Sequence, residues 1–107
     1  MDEVTQRAVA TAAKWLDAHH GNGRQQQTMR ILKVTEEAGE VAQAWIGVVG
    51  QNPRKGVTHT EREVADELAD VAFTALVAIQ SLGFDVDEVL ATCVAKVLRR
   101  LETEPTL

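Results

Sequence analysis

The stretch from Val71 to Ile79 places the tightest limit on how this chain can fold. It carries no charge, and as a helix it would be apolar on every side, so other protein surface must cover it all round. The neighbouring helices of one small chain could hardly provide that cover. A second copy related by two-fold symmetry could supply the rest. We therefore expect this stretch to be the central helix of a homodimer or higher homo-oligomer.

The remaining sequence predicts an all-α fold, a four-helix bundle in a single domain over residues 1–107. The chain has 45% hydrophobic residues and only two prolines, a composition that favours helices around one core. Glycine and proline breakers separate the segments of helical periodicity. The predicted segments run from about Asp2 to His20, from near Thr28 to Gly50, from a capping box at Thr60 to Leu82, and from Asp85 to a frayed end beyond Glu104-Pro105.

Apolar stripes predict which face of each segment points inward. In the second segment the stripe recurs at about 100° per residue. We expect Trp15 of the first segment and Trp45 of the second to be core residues. The single cysteine, Cys93, is expected to be a buried thiol and excludes an internal disulfide. The stripe of the second segment is Ile31, Val34, Ala38, Val41, Ala42, Trp45 and Val49, and that of the fourth is Val86, Val89, Leu90, Cys93, Val94, Val97 and Leu101.

Three carboxylates, Glu36, Glu37 and Glu40, lie within five residues of the second segment. Spacings of three and four residues gather them on one helical face. This face lies opposite the apolar stripe, so a solvated acidic surface is one interpretation. Against it, the face continues with the small residues Ala44 and Gly47, and like charges at this spacing repel unless a cation neutralises them.

A second acidic group directly precedes the apolar run in the third segment. Asp70 lies where a polar surface meets a buried one, and an unpaired buried charge is costly. Either an arginine, Arg30 or Arg62, or a divalent cation could neutralise it. Acids from two packed helices are an attested way of binding such a cation in a bundle. The acids of this group are Glu63, Asp66, Glu67 and Asp70.

The fourth segment ends in the basic residues Lys96, Arg99 and Arg100. One interpretation is favourable charge at a helix C-terminus. Because Lys96 and Arg100 flank the apolar stripe, they could instead reach inward and bind phosphate. Two residues near the end of the first segment have two interpretations each. Trp15 is either a core residue or stacks on a nucleotide base, and His19 is either a surface residue or forms a hydrogen bond to that base.

The two acidic groups resemble a known family. Glu36-Glu37-Ala38-Gly39-Glu40 followed by Glu67-Leu68-Ala69-Asp70 matches the EExxE and ExxD pattern of MazG-like nucleoside triphosphate pyrophosphohydrolases, of the all-α NTP pyrophosphatase superfamily. Residues 95–100 resemble the basic segment that follows in that family, so the match covers about residues 31–101. The resemblance implies a four-helix MazG-like bundle, usually a dimer, that depends on magnesium, with manganese as a possible substitute. It implies cleavage of a nucleoside triphosphate between its α and β phosphates.

The resemblance also implies roles for individual residues. Glu36 and Glu37 would be catalytic, Glu36 as an additional ligand or by orienting water. The metal ligands would be Glu37, Glu40, Glu67 and Asp70. Phosphate would be bound by Lys96, Arg100 and, with less support from the pattern, Arg99. The chain departs from the family at Val94, where an asparagine is often found.

Two other functions are compatible with the sequence. Phosphoribosyl-ATP pyrophosphohydrolases are similar, but their second motif typically continues into a Tyr-His pair, whereas Asp70 is followed here by Val71-Ala72-Phe73-Thr74. A different class is a non-catalytic helical dimer that binds a partner protein through the third segment. In that case the acidic residues would serve only solubility.

Charge and hydropathy limit the expected surroundings of the protein. A net charge of −5 argues against binding of polymeric nucleic acid. The apolar runs are too short for a membrane span, and the N-terminus lacks the features of a signal peptide. We expect a soluble cytoplasmic protein without a membrane partner.

Overall fold

The computed structural model describes residues 1–103 as four helices in chain order: α1 (Glu3–His20), α2 (Arg24–Val49), α3 (Glu61–Ser81) and α4 (Val86–Thr103). Residues 1–103 contain no strand, so the all-α prediction is confirmed. The predicted frayed end beyond Glu104-Pro105 lies outside the described residues. Dimerisation stays a prediction.

Several helix ends are formed by the residues that the sequence indicates. The Asp2 carboxylate accepts a hydrogen bond from the Thr5 amide at 2.7 Å. Hydrogen bonding to Thr5, from its side chain first and its backbone amide second, lowers the pKa of Asp2. Thr60 and Glu63 form the expected reciprocal capping box at the start of α3. Gly50 closes α2 in the left-handed conformation, with φ of 65°, where a side chain would be strained.

The predicted start of α2 is wrong by one turn. The helix begins at Arg24 rather than near Thr28, and the Thr28 hydroxyl donates to the Arg24 carbonyl within the first turn. Residues 24–27 carry no apolar periodicity, but arginine and glutamine are good helix formers. Gly23 precedes the helix and offers no capping side chain, so the usual sequence signal for a helix start is missing.

α3 is the central helix, packed along α2 and against α1. Val9 and Ala13 of α1, Val77 of α3 and Val86 of α4 form a small buried cluster. Within the predicted central stretch Val77 and Ala78 are buried, whereas Phe73 is exposed. One chain therefore covers only part of the surface that the sequence requires to be covered.

The predicted inward face of α2 is wrong. Ala44 is 2% exposed and Gly47 is also buried, so the face that packs on α3 is the one that continues the acidic residues. Of the predicted stripe, Val34 and Val41 are half-buried. The exposed members are Ile31, Ala38, Ala42, Trp45 and Val49. Small side chains let neighbouring segments approach closely. The inward face of α2 is therefore marked by its small residues and not by its most hydrophobic ones.

Three further core predictions are wrong within one chain. Trp15 is 58% exposed and Trp45 is 49% exposed, and Cys93 is an exposed thiol. Cys93 is exposed because only the beginning of α4, at Val86 and Leu90, reaches the core. The later members of its stripe, Cys93, Val94 and Leu101, are exposed.

The helices are splayed rather than closed into a compact bundle. The radius of gyration is 17.0 Å, whereas a domain of this length has one of about 13 Å. No single helix within residues 1–103 is long and apolar enough to cross a membrane. α3 and α4 would reach that length and composition only together, and they meet at a bend of 118°.

A buried arginine joins three helices at one end of the molecule. Arg30 of α2 is 8% exposed. Its guanidinium donates to Asp17 Oδ1 at 2.6 Å, to Ser81 Oγ at 3.1 Å and to the Gly21 carbonyl at 2.8 Å. One side chain thereby fixes the end of α1 and the end of α3 against α2.

Gly47 provides a test of how tightly the segment before α3 is held on α2. The Thr58 amide donates to the Gly47 carbonyl at 2.9 Å, and a Cβ at Gly47 would overlap the ring of His59. Gly47→Ala is expected to lower the free energy of unfolding by about 1–3 kcal/mol through overpacking. Gly39→Ala, where a Cβ meets open space, is the control and should raise it by about 0.5–1 kcal/mol. Urea unfolding in chelator measures both, and equal shifts would contradict the close packing.

Candidate metal centre and adjoining groove

The acidic residues meet where α2 packs on α3. The small residues Ala44 and Gly47 continue the face of α2 that carries Glu37 and Glu40, so this face lies against α3 instead of in solvent. Glu37, Glu40 and Glu67 are half-buried there, and Asp70 is exposed at the edge. The interpretation of the motifs as a solvated acidic surface is therefore wrong for the half-buried residues.

The carboxylates form two groups that share Glu37. In each group, oxygen atoms from all members lie within 4.8 Å of one another. Oxygen ligands at this spacing suit a hard divalent cation such as magnesium. The first group is Glu36, Glu37 and Glu40, all on α2, and the second is Glu37, Glu67 and Asp70, which joins α2 to α3.

Glu67 supplies an independent indication of a cation. Its Oε2 atom is buried and has no hydrogen-bond partner among the described residues. The side chain of Glu37, in the same group, is only 14% exposed. A buried carboxylate oxygen without a partner is costly. The donor set therefore fits a divalent cation bound by Glu37, Glu67 and Asp70.

The arginines that could have neutralised Asp70 are engaged elsewhere. Arg30 pairs with Asp17, and Arg62 pairs with Asp66 at 2.9 Å. Glu63, predicted with the acidic group, accepts hydrogen bonds in the capping box instead. The arginine interpretation is therefore wrong in this chain, and Glu63 and Asp66 leave the candidate site.

Lys33 is a site residue that the sequence analysis missed. Its Nζ lies 2.8 Å from Glu36 Oε1 and 3.5 Å from Glu37 Oε1. The hydrogen bond to Glu36 raises the pKa of Lys33, and the charges of Glu36 and Glu37 add to the effect. The signal was present in the sequence, because Lys33 precedes these glutamates by three and four residues.

A groove of about 1080 Å³ adjoins the acidic residues, between α1, α2 and α3. Its walls are largely apolar and include Trp15 and Phe73, while Lys33 and Glu36 form a charged edge. Of the two adjacent histidines, His20 lines the groove. Sequence reasoning did not single out Phe73 as a contact, because an aromatic residue in an apolar run carries no functional signal by itself.

His19, predicted to contact substrate, does not line this groove. Its Nδ1 lies 2.7 Å from the Trp15 carbonyl oxygen, and its ring centroid lies 4.1 Å from that of Trp15. The histidine therefore supports the tryptophan from the neighbouring turn of α1.

The predicted phosphate-binding cluster of α4 is separate from the acidic site within one chain. Lys96, Arg99 and Arg100 are exposed. In the described part of the chain none of them forms an ion pair with the acidic groups, and none lines the groove. The reason is that α4 leaves the core after Leu90.

The comparison with known families agrees with this geometry. The sequence model of one protein family, the MazG nucleotide pyrophosphohydrolase domain, matches residues 25–103 of this chain. The chain belongs to the MazG family. The match spans α2, α3 and α4 and includes both acidic groups of the MazG chain, so the resemblance found in the sequence is confirmed. No match was found among curated proteins, and none among solved structures.

α1 lies outside the MazG match, which begins at residue 25. Trp15 and His19 therefore gain no support from the family, whereas Lys96, Arg99 and Arg100 fall within the matched residues. Membership places this chain in a family of nucleotide pyrophosphohydrolases, which implies a nucleoside triphosphate as the kind of substrate.

Proposed function

We propose that this MazG-family chain hydrolyses a nucleoside triphosphate between the α and β phosphates, with Mg²⁺ or Mn²⁺ as cofactor. The products are a nucleoside monophosphate and pyrophosphate. The observation that carries the proposal is the meeting of two acidic groups at Glu37, with the unpartnered Glu67 oxygen buried beside it. In a non-catalytic dimer nothing would offset the cost of burying this carboxylate oxygen without a partner.

The residues that would hold the cation are Glu37, Glu67 and Asp70, with Glu40 on the adjacent turn of α2. A divalent ion bound by carboxylates supplies neutralisation of phosphate charge and lowers the pKa of a bound water. Mg²⁺ keeps several waters when bound by carboxylates, and these leave positions for phosphate oxygens.

The chain's own side chains would orient the reactants. Glu36 is exposed at the edge of the groove and is held by Lys33, so its free oxygen can accept a hydrogen bond from the attacking water. Trp15 and Phe73 line the apolar walls of the groove, which suit the flat faces of a nucleotide base. A base bound against those walls would displace water from them, while its phosphates would extend toward the acids.

The reaction is tested by its products. With Mg²⁺, one or more nucleoside triphosphates from a panel of common and damaged bases is expected to yield the monophosphate and pyrophosphate in equal amounts, and chelator should stop the reaction. Anion-exchange chromatography separates the products. Release of orthophosphate with a diphosphate would remove the assignment of α–β cleavage.

We further propose that a second copy of the chain completes the site. α4 exposes an apolar face together with Lys96 and Arg100, and within one chain these cations lie apart from the acids. A symmetric dimer can cover that face and also bring the partner's positive charges to the phosphates. This arrangement accounts for both the incomplete cover of α3 and the isolation of the basic cluster.

Mixing of inactive variants tests the shared site. Asp70→Asn removes a proposed ligand and Lys96→Ala removes a proposed phosphate contact, so each variant alone should be nearly inactive. If the two residues act across the interface, equal mixing with subunit exchange should restore about a quarter of the parental sites. Pyrophosphate release after co-refolding measures the recovery. A mixture as inactive as its components, with exchange shown by differently tagged subunits, would contradict the shared site.

A further inference from the structure

Lys33 is the one cationic side chain within residues 1–103 that pairs with the carboxylates of the two groups sharing Glu37. Both of its partners, Glu36 and Glu37, belong to the group on α2. Glu67 and Asp70 receive no ion pair from the described part of the chain. The positive charge of Lys33 therefore lies on Glu36 and on the shared Glu37, while Glu67 and Asp70 are left without a cationic partner among the described residues.

The two groups consequently differ in what they can bind. In the group of Glu36, Glu37 and Glu40, the ammonium of Lys33 already lies 2.8 Å from Glu36 Oε1 and 3.5 Å from Glu37 Oε1. A divalent ion there would have to displace it or lie close to a like charge. In the group of Glu37, Glu67 and Asp70, Lys33 lies 3.5 Å from the shared Glu37, and the buried Glu67 oxygen has no hydrogen-bond partner within residues 1–103.

We propose that the Lys33 ammonium occupies the position of a second divalent ion, so that each chain binds one ion, at Glu37, Glu67 and Asp70. Lys33 is then a positioning residue, which fixes Glu36 and Glu37 and presents a permanent positive charge at the edge of the groove. This inference rests on the proposed function for the identity of the ion as cofactor, and it adds the number of ions and the source of the second positive charge.

The test counts bound ions without measuring catalysis. Free Mn²⁺ is followed by electron paramagnetic resonance during titration of the full chain. The parent and Lys33→Arg, which keeps the charge, are each expected to bind one ion per chain. Lys33→Met, which keeps the length but not the charge, should bind two. Lys14→Met is the control, because Lys14 is exposed and forms no ion pair within the described residues, and it should bind one. Circular dichroism confirms that each variant is folded.

The outcomes separate this inference from the function on which it rests. Two ions bound by the parent would overturn the role of Lys33 and leave the proposed function intact. One ion bound by Lys33→Met with the parental affinity would also overturn it, and would reduce Lys33 to an ordinary surface pair along a helix. A folded parent that binds no Mn²⁺ would overturn both proposals.

Discussion

Glu37→Gln is expected to abolish pyrophosphate release, with a loss in kcat/KM of roughly a thousandfold or more. Glu37 is shared by both carboxylate groups, so this single change removes a proposed ligand of the ion and also a carboxylate that pairs with Lys33. Altering a residue that only supports a metal ligand costs about 10–100-fold, and loss of the ligand itself should cost more. The measurement is pyrophosphate release at saturating Mg²⁺, and a loss of less than tenfold would place the chemistry elsewhere.

Thermal unfolding gives the same variant a second readout. At about 100 times its Kd, Mg²⁺ should stabilise the parent by about 2.7 kcal/mol, which corresponds to a rise in Tm of roughly 10–20 °C. Glu37→Gln should lose most of this rise. In chelator it should melt at or above the parental Tm, because the change relieves repulsion between carboxylates within 4.8 Å of one another.

The control for this experiment is Glu61→Gln, an exposed glutamate in the first turn of α3. It should keep both the activity and the response to Mg²⁺. If Glu37→Gln destabilises the chelated protein by more than about 1 kcal/mol, an ordinary effect of a point mutation, the glutamate is a structural residue.

Arg30→Met is expected to cause the largest loss of stability, about 2–4 kcal/mol. The change keeps the apolar stem but leaves Ser81 Oγ and the Gly21 carbonyl without their donor. Hydrogen bonds to charged groups contribute about 1.5–3 kcal/mol each. Asp17 is 41% exposed and can be hydrated, which limits the loss. Against a total stability of about 5–15 kcal/mol, the effect is large.

Urea unfolding in chelator at one protein concentration measures this loss, since self-association would make stability depend on concentration. Arg24→Met is the matched control, because Arg24 lies on the same helix with its side chain exposed. Its effect should stay within about 0.5 kcal/mol. Equal midpoints for the two variants would show that the buried arginine contributes nothing to holding α1 and α3 on α2.

Much of the fold was predictable because its signals are local. Asp2, Thr60 with Glu63, and Gly50 mark helix ends through contacts within a few residues of the chain. The acidic groups were predictable for a related reason: helical geometry fixes which residues share a face. The start of α2 was not predictable, because Gly23 provides no capping side chain.

The orientation of the helices was harder to predict, because periodicity shows that a face is apolar but not what covers it. Ile31, Trp45 and Val49 are as apolar as a core stripe, yet they are exposed in one chain. Ala44 and Gly47 are less hydrophobic, yet they are buried, and Gly47 lies against Thr58 and His59 just before α3. If a second copy covers the exposed stripe, as we propose, the chain needs two sets of apolar faces, and hydrophobicity alone does not distinguish them.

The helices that line the groove differ in whether they also carry the grouped carboxylates. α1 contributes Thr11, Trp15 and Leu16 to it, but supplies none of the carboxylates grouped on α2 and α3. Mutations on that side of α1 therefore alter the width and polarity of the groove while the acids keep their spacing. If the proposed function holds, substitutions on α1 alone could change the ligand preference over evolutionary time, while the carboxylates on α2 and α3 keep the reaction chemistry unchanged.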